Sequence, residues 1–200
     1  MTSLQGKNIL LTGATGFVGT QILKHLLSLK INVKVVIRSE HKISNEIKSK
    51  ISSIVFSRDL FEEDEEWWFK VCQDIDIVIH AAWYAEPGKY LESEKNLNCL
   101  IGSLNLAKGS SRAGIKKFIG IGTCFEYKVS DEPLSIESDY DPQTIYASTK
   151  LSLYQTLTHW SKINSIDFAW CRLFYLYGEG EDERRFVPYL HQQLKNNKTA

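Results

Sequence analysis

Tyr146 and Lys150 stand four residues apart in YASTK (146–150). They open a run in which Tyr146, Leu153, Leu157 and Trp160 recur at helical spacing. On a helix that interval puts both side chains on one face. A free phenol ionises near pH ~10 and is a poor base at neutrality. An ammonium alongside favours the phenolate and lowers that value. Such a pair can give a proton to a reacting oxygen or take one from it. The same spacing also occurs on plain surface helices, so its meaning depends on the surroundings.

A second group with chemical potential lies near the N-terminus. LLTGATGFVGTQILKHL (10–26) carries Gly13, Gly16 and Gly19 between an apolar strand pattern and an amphipathic helix pattern. Glycines there permit a tight turn, close backbone approach to a pyrophosphate and close helix–strand packing. The helix start offers its free N–H groups to the anion. The placement after a strand and before a helix makes this a dinucleotide-binding signature. Gly13, Thr15, Gly16, Phe17 and Val18 are the candidate cradle.

These groups need a scaffold that brings residues 13–18 and 146–150 together. Short β-rich runs alternate with longer amphipathic ones. NILLT (8–12), NVKVVIR (32–38), SIVF (53–56), IDIVIHAA (75–82), KKFIGIGT (116–123) and FAWCRLF (168–174) read as six strands. The fourth is almost wholly apolar, as a strand buried on both faces would be. Helices are expected over about 16–29, 62–72, 93–113 and 146–163, and 39–52 reads as a loose helix or loop. This alternation predicts an α/β fold, a doubly wound, Rossmann-like parallel sheet. Residues 1–175 form the expected dinucleotide-binding domain. Residues 176–200, with RFVPYLHQQLKN as one helix, read as the start of a small C-terminal substrate subdomain that is either truncated or completed by a partner.

Composition narrows the class. Lys and Arg number 24 and so do Asp and Glu, so no basic excess invites nucleic acid or an anionic membrane. No apolar run reaches the roughly 18 residues of a membrane span. MTSLQGKNILL lacks the layout of a signal peptide, which leaves the cytoplasm as the default location. Cys72, Cys99, Cys124 and Cys171 are widely spaced, which speaks against a zinc site or a disulfide framework. No metal is expected. The acidic run EEDEE (62–66) reads as a solvated helix start.

With its spacing of glycines after a Thr, TGATGFVG (12–19) resembles the extended short-chain dehydrogenase/reductase family, of the nucleotide-sugar-modifying epimerase/dehydratase type. The likeness covers essentially the whole chain. It implies that Asp59-Leu60 follows the third strand to meet adenine, and that HAA (80–82), with Ala81 and Ala82, closes the fourth strand beside the cofactor. RLFYLYG (172–178) looks like the family's RxxxxYG segment. NAD-preferring members end the second strand in an acid, whereas this chain has Arg38, then Ser39, His41 and Lys42. A guanidinium can hold a 2′-phosphate bidentately, so NADP(H) is expected, with NAD(H) the alternative.

The resemblance also gives roles. Tyr146 and Lys150 match the family's catalytic pair, with Lys150 also on the cofactor. In the family, a Ser or Thr ending strand five and four residues before a Tyr holds the reacting oxygen. In GTCFEY (122–127) that residue is Thr123. The family's dehydratases follow this Thr with two acids; Cys124 and Phe125 stand there instead, which disfavours elimination. Glu126 on an extended chain points away from Phe125, with a buried salt bridge or a substrate-hydroxyl contact both open. Trp83, Tyr84 and Tyr90 either enclose a hexose or pack on the following helix. Cys124 and Arg185 complete the substrate candidates, Arg184 and Arg185 being either a diphosphate clamp or part of a solvated cluster. Asn98 falls one place off the family's ordering Asn, where Cys99 stands. His80 reads as positional. His25, His159 and His191 read as surface residues. The expected activity is NADP-dependent reduction of a nucleotide-linked 4-keto-6-deoxy sugar. A C4 epimerase with bound NAD is the close rival, and a non-catalytic dinucleotide sensor is a third reading. A homodimer through the helices at 93–113 and 146–163 is the family's usual assembly.

Overall fold

The computed structural model describes residues 4–39 and 43–197. Six strands form one wholly parallel sheet: β1 (Asn8–Thr12), β2 (Asn32–Ile37), β3 (Ser53–Phe56), β4 (Ile77–His80), β5 (Lys117–Thr123) and β6 (Asp167–Leu173). Their order is β3-β2-β1-β4-β5-β6. The chain thus winds outward from β1, crosses back and winds the other way from β4. The switch between β1 and β4 opens the crevice where doubly wound folds take their ligands. The helices are α1 (Phe17–Ser28), α2 (Asn45–Lys48), α3 (Glu65–Val71), α4 (Lys95–Arg112), α5 (Ile145–Ile163) and α6 (Phe186–Lys195).

Alternation along β1 splits the core in two. Leu10 faces a layer with Trp68, Leu106, Phe118, Leu153 and Leu157, so α3, α4 and α5 cover that side. Ile9 and Leu11 face Leu23, Leu26, Val33, Val35 and Ile79, and α1 covers the other. All four β4 residues are buried, as its apolar run predicts.

The expected elements are present with shifted ends. The helix expected over 62–72 starts only at Glu65, because Asp64 caps it by accepting the Trp67 N–H at 2.7 Å. Glu65 and Glu66 then occupy the first turn and pair with Arg112 of α4, so the acidic run also ties two helices together. Among the described residues of 39–52, only the four residues of α2 are helical. His41 and Lys42 lie outside the described residues. The helix α6 forms as expected and buries none of its residues.

Candidate active site

At the end of β1 the chain turns through Gly13 at φ +74°. A Cβ there would lie 2.6 Å from the Ala82 nitrogen and 2.7 Å from the Ala81 carbonyl carbon. Only glycine lets the turn rest on the segment that follows β4. A Cβ on Gly19 would overlap the Gly13 carbonyl, so α1 packs directly on the turn. Gly16 is the N-cap of α1, and no side chain caps the helix, leaving its first N–H groups for an anion. Thr15, Phe17 and Val18 line this start half-buried. The bare backbone and uncapped amides fit a dinucleotide pyrophosphate. Arg38 is exposed at the end of β2. Asp59 uses its Oδ1 to accept the Phe61 N–H at 3.0 Å and so shapes its own turn, while Leu60 packs against the core.

Beneath this turn runs a relay that sequence reasoning found only in part. Thr12 and His80 are register partners on β1 and β4. The Thr12 hydroxyl and His80 Nδ1 are 2.7 Å apart, and His80 Nε2 is 2.8 Å from the Ser103 hydroxyl. Ser103 donates to the Cys99 carbonyl at 2.6 Å. One proton arrangement satisfies all three: Thr12 donates to Nδ1, and Nε2–H donates to Ser103. Burial, then the Lys150 charge, lowers the His80 pKa to about 3. His80 is therefore a neutral tie between strands, matching its positional reading. Thr12 opens the TGATG run and Ser103 lies within the α4 pattern, but neither had been given a role from the sequence.

Thr123, Tyr146 and Lys150 converge above the ends of β4 and β5. Thr144 caps α5 by accepting the Ala147 N–H at 3.1 Å, and the Tyr146 N–H donates to the Leu91 carbonyl at 3.0 Å. Tyr146 thus stands in the first turn of α5 with its ring edge-on to Tyr90, centroids 4.8 Å apart. Lys150, one turn on, is buried; its Nζ donates to the Ile121 carbonyl at 2.7 Å and lies 3.8 Å from the centre of the Trp83 ring. Burial brings its pKa down to about 7, while the Glu126 and Cys99 charges hold it up.

The expectation that Lys150 lowers the Tyr146 pKa needs correction for the chain by itself. Burial drives the phenol well above its usual range, and a hydrogen bond with the Thr123 side chain pulls it part of the way back. The ammonium is occupied by the Ile121 carbonyl and the indole face instead. The phenol is consequently a protonated group at neutral pH.

The segment after β4 divides its aromatic side chains. Trp83 donates its indole N–H to Asn96 Oδ1 at 2.8 Å, and fully buried Asn96 donates in turn to the Tyr90 and Ser93 carbonyls at 2.6 and 2.8 Å. Tyr84 donates to Glu86 at 3.1 Å and lies under Lys95. Trp83 and Tyr84 therefore pack against the start of α4, while Tyr90 lies against Tyr146. Asn98 is exposed, and Asn96, two positions earlier, is a side chain that sequence reading missed, tying Trp83 to the segment before α4. Arg184 pairs bidentately with Asp182 at 2.7 and 2.8 Å within the exposed charge cluster. Arg185 instead lies over the Tyr90 ring at 5.6 Å. Cys124 is half-buried, and burial raises its thiol pKa.

Glu126 is where the extended-chain expectation fails. Cys124–Glu126 form a single 3-10 turn, which swings the carboxylate back beneath β5. It is fully buried and pairs with Arg172 Nε at 2.6 Å. Of the two readings left open, the buried salt bridge is the one present.

The parallel sheet with its switch point and glycine turn defines a Rossmann-type dinucleotide fold. A model of the NAD dependent epimerase/dehydratase family matches residues 9–200, and the chain belongs to that family. It is 30% identical to the UDP-glucose 4-epimerase of Vibrio cholerae over 186 residues, covering 87% of this chain and 53% of the relative. Similarity to the dTDP-6-deoxy-L-talose 4-dehydrogenase (NAD(+)) of Aggregatibacter actinomycetemcomitans is 23% over 176 residues, covering 86% and 62%. Among solved structures, the UDP-glucuronic acid 4-epimerase of Bacillus cereus in complex with NAD superposes with a TM-score of 0.77 at 26% identity, covering 96% of this chain and 63% of that one. The chain thus spans between half and two thirds of the length of these relatives.

Proposed function

We propose that the protein reduces the 4-keto group of a nucleotide-linked 6-deoxy sugar, with NADP(H) as its dinucleotide. The observation that carries this reading is the grouping of Thr123, Tyr146 and Lys150 beside the Gly13 turn at the switch point of the sheet. When bound, the nicotinamide supplies hydride to the carbonyl carbon. The Gly13–Val18 turn would hold the pyrophosphate, with Ala81 and Ala82 as its floor, and Asp59 and Leu60 would line the adenine side. Tyr146 keeps its proton at neutral pH, as a donor to a carbonyl oxygen must. Thr123, at the end of β5, orients that oxygen, and Lys150 places a positive charge one helical turn from Tyr146. Cys124 and Phe125 supply no carboxylate, which argues against elimination. Arg38, exposed where an acid would select NAD, supports the 2′-phosphate, although the family is named for NAD and the Bacillus cereus structure contains it.

A C4 epimerase would use the same three residues, and the likeness to the Vibrio cholerae enzyme favours keeping it as the second reading. The decisive experiment supplies purified protein and its Tyr146→Phe variant with nucleotide-linked 4-keto-6-deoxy sugars, with each reduced dinucleotide in turn. Turnover with NADPH, lost by ~100-fold or more in the variant, is expected from the usual worth of a positioned acid. Interconversion of UDP-hexoses without added dinucleotide would replace the reductase with the epimerase. A strong NADH preference would remove the role given to Arg38.

A further inference from the structure

The residue that the proton-transfer chemistry leaves unused is Glu126, yet it is the most completely engaged carboxylate in the site. We propose that Glu126 is a positioning residue, fixing the Thr123 hydroxyl through the backbone and the 3-10 turn; the role rests on the reduction proposed above. Its Oε1 accepts the Thr123 backbone N–H at 2.9 Å and the Trp170 indole N–H at 3.0 Å. Its Oε2 accepts the Arg172 Nε–H at 2.6 Å and shares the Trp170 indole at 3.1 Å. In return the Thr123 hydroxyl accepts the Phe125 N–H at 3.3 Å, which closes a capping box around the turn. Thr123 is therefore held at its nitrogen and at its oxygen.

The surroundings are built for this carboxylate. Gly120 and Gly122 lie on the same face of β5, and Trp170, the register partner of Gly120, fills the space they leave. A Cβ on Gly122 would strike the Trp170 indole and sit 2.6 Å from Glu126 Oε1. Arg172 is backed by Tyr127, Tyr140 and Tyr154, its guanidinium 4.3–5.0 Å from their ring centres, and donates to the Tyr140 hydroxyl at 3.1 Å. Every hydrogen-bonding partner of the carboxylate is a donor. Glutamine in its place would aim an NH₂ at one of them, and the strain would fall on Thr123. Misplacing a catalytic group by as little as 1 Å can cost on the order of 100-fold in rate.

The test compares Glu126→Gln and Glu126→Asp with the wild type, each checked for folding by circular dichroism. Glu126→Gln is expected to lower kcat by about tenfold or more, with the KM for the dinucleotide within about twofold. Glu126→Asp, which keeps an acceptor-only group, should recover part of the loss. Combined with Thr123→Val, the Glu126→Gln effect should shrink, since both changes remove one device. A folded Glu126→Gln protein with unchanged kcat, or losses that simply multiply with Thr123→Val, would overturn the proposal. Should the wild type turn over no nucleotide-linked 4-keto sugar, the assigned reaction is wrong, and amide exchange at Thr123 judges the anchor separately. Faster exchange in Glu126→Gln upholds the anchor; unchanged protection overturns it.

Discussion

Lys150 and His80 both sit where water hardly reaches, and both titrate lower than in a free peptide. In each case the unfolded chain binds more protons than the folded one across a window, so stability rises with pH there. For His80 the window runs from about 3 to 6.5, and for Lys150 from about 7 to 10.5. Denaturant titrations should therefore show a fall in stability as pH drops from 6.5 towards 4. The His80 ring should keep the shifts of a neutral imidazole by nuclear magnetic resonance at pH 5. A charged ring at pH 5 would contradict the strand tie through Thr12 and Ser103. At this scale the helical interval of the sequence singled out Tyr146 and Lys150, while Thr123 was named only through the resemblance to the family, four residues before Tyr127. Glu126 was opaque because its direction depends on one 3-10 turn, and its partners Trp170 and Arg172 arrive from a strand more than forty residues later. Asn96 was hidden for a similar reason, since its partners lie in the irregular segment before α4.

Elements bring these residues together through backbone contacts that tolerate little added volume. The turn at Gly13 is the sharpest case, because it combines a positive φ with Ala81 and Ala82 backbone pressed against it. Gly13→Ala is expected to cost about 1–3 kcal/mol in stability from backbone strain alone. It should also abolish dinucleotide binding measurable by calorimetry, since turn and β4 segment must separate to admit the methyl group. Unaltered binding would mean that this clearance plays no part in the cradle. The strands and long helices were legible because periods of two and 3.6 mark opposite burial patterns. The parallel order followed from their alternation. Ends were less so: a single Asp64 cap moved the start of α3 inward, and α2 is too short to leave a periodic trace.

For the whole molecule, the outer faces of α4 and α5 are the natural place to look for a second copy. Leu97 and Ile101 lie exposed one turn apart on α4. A cleft of about 520 Å³ beside them is lined by Leu100 of α4 and by Ile145, Ser148 and Ser152 of α5. Light scattering is expected to give a homodimer paired through these helices, and Leu97→Arg should shift it towards monomer with little change in the fold. A wild-type monomer at micromolar concentration would exclude that assembly. No described helix is long and apolar enough to cross a membrane. The division of the chain into a dinucleotide domain through residue 175 and a following substrate segment stays a proposal, in keeping with α6 burying none of its residues. The indole of Trp83, tethered by Asn96, faces the Lys150 ammonium at 3.8 Å. A charge that close to an indole alters its emission, so the site contains its own optical reporter. Any ligand that draws the ammonium away should change the colour or intensity of tryptophan fluorescence, with Trp83→Phe as the silent control.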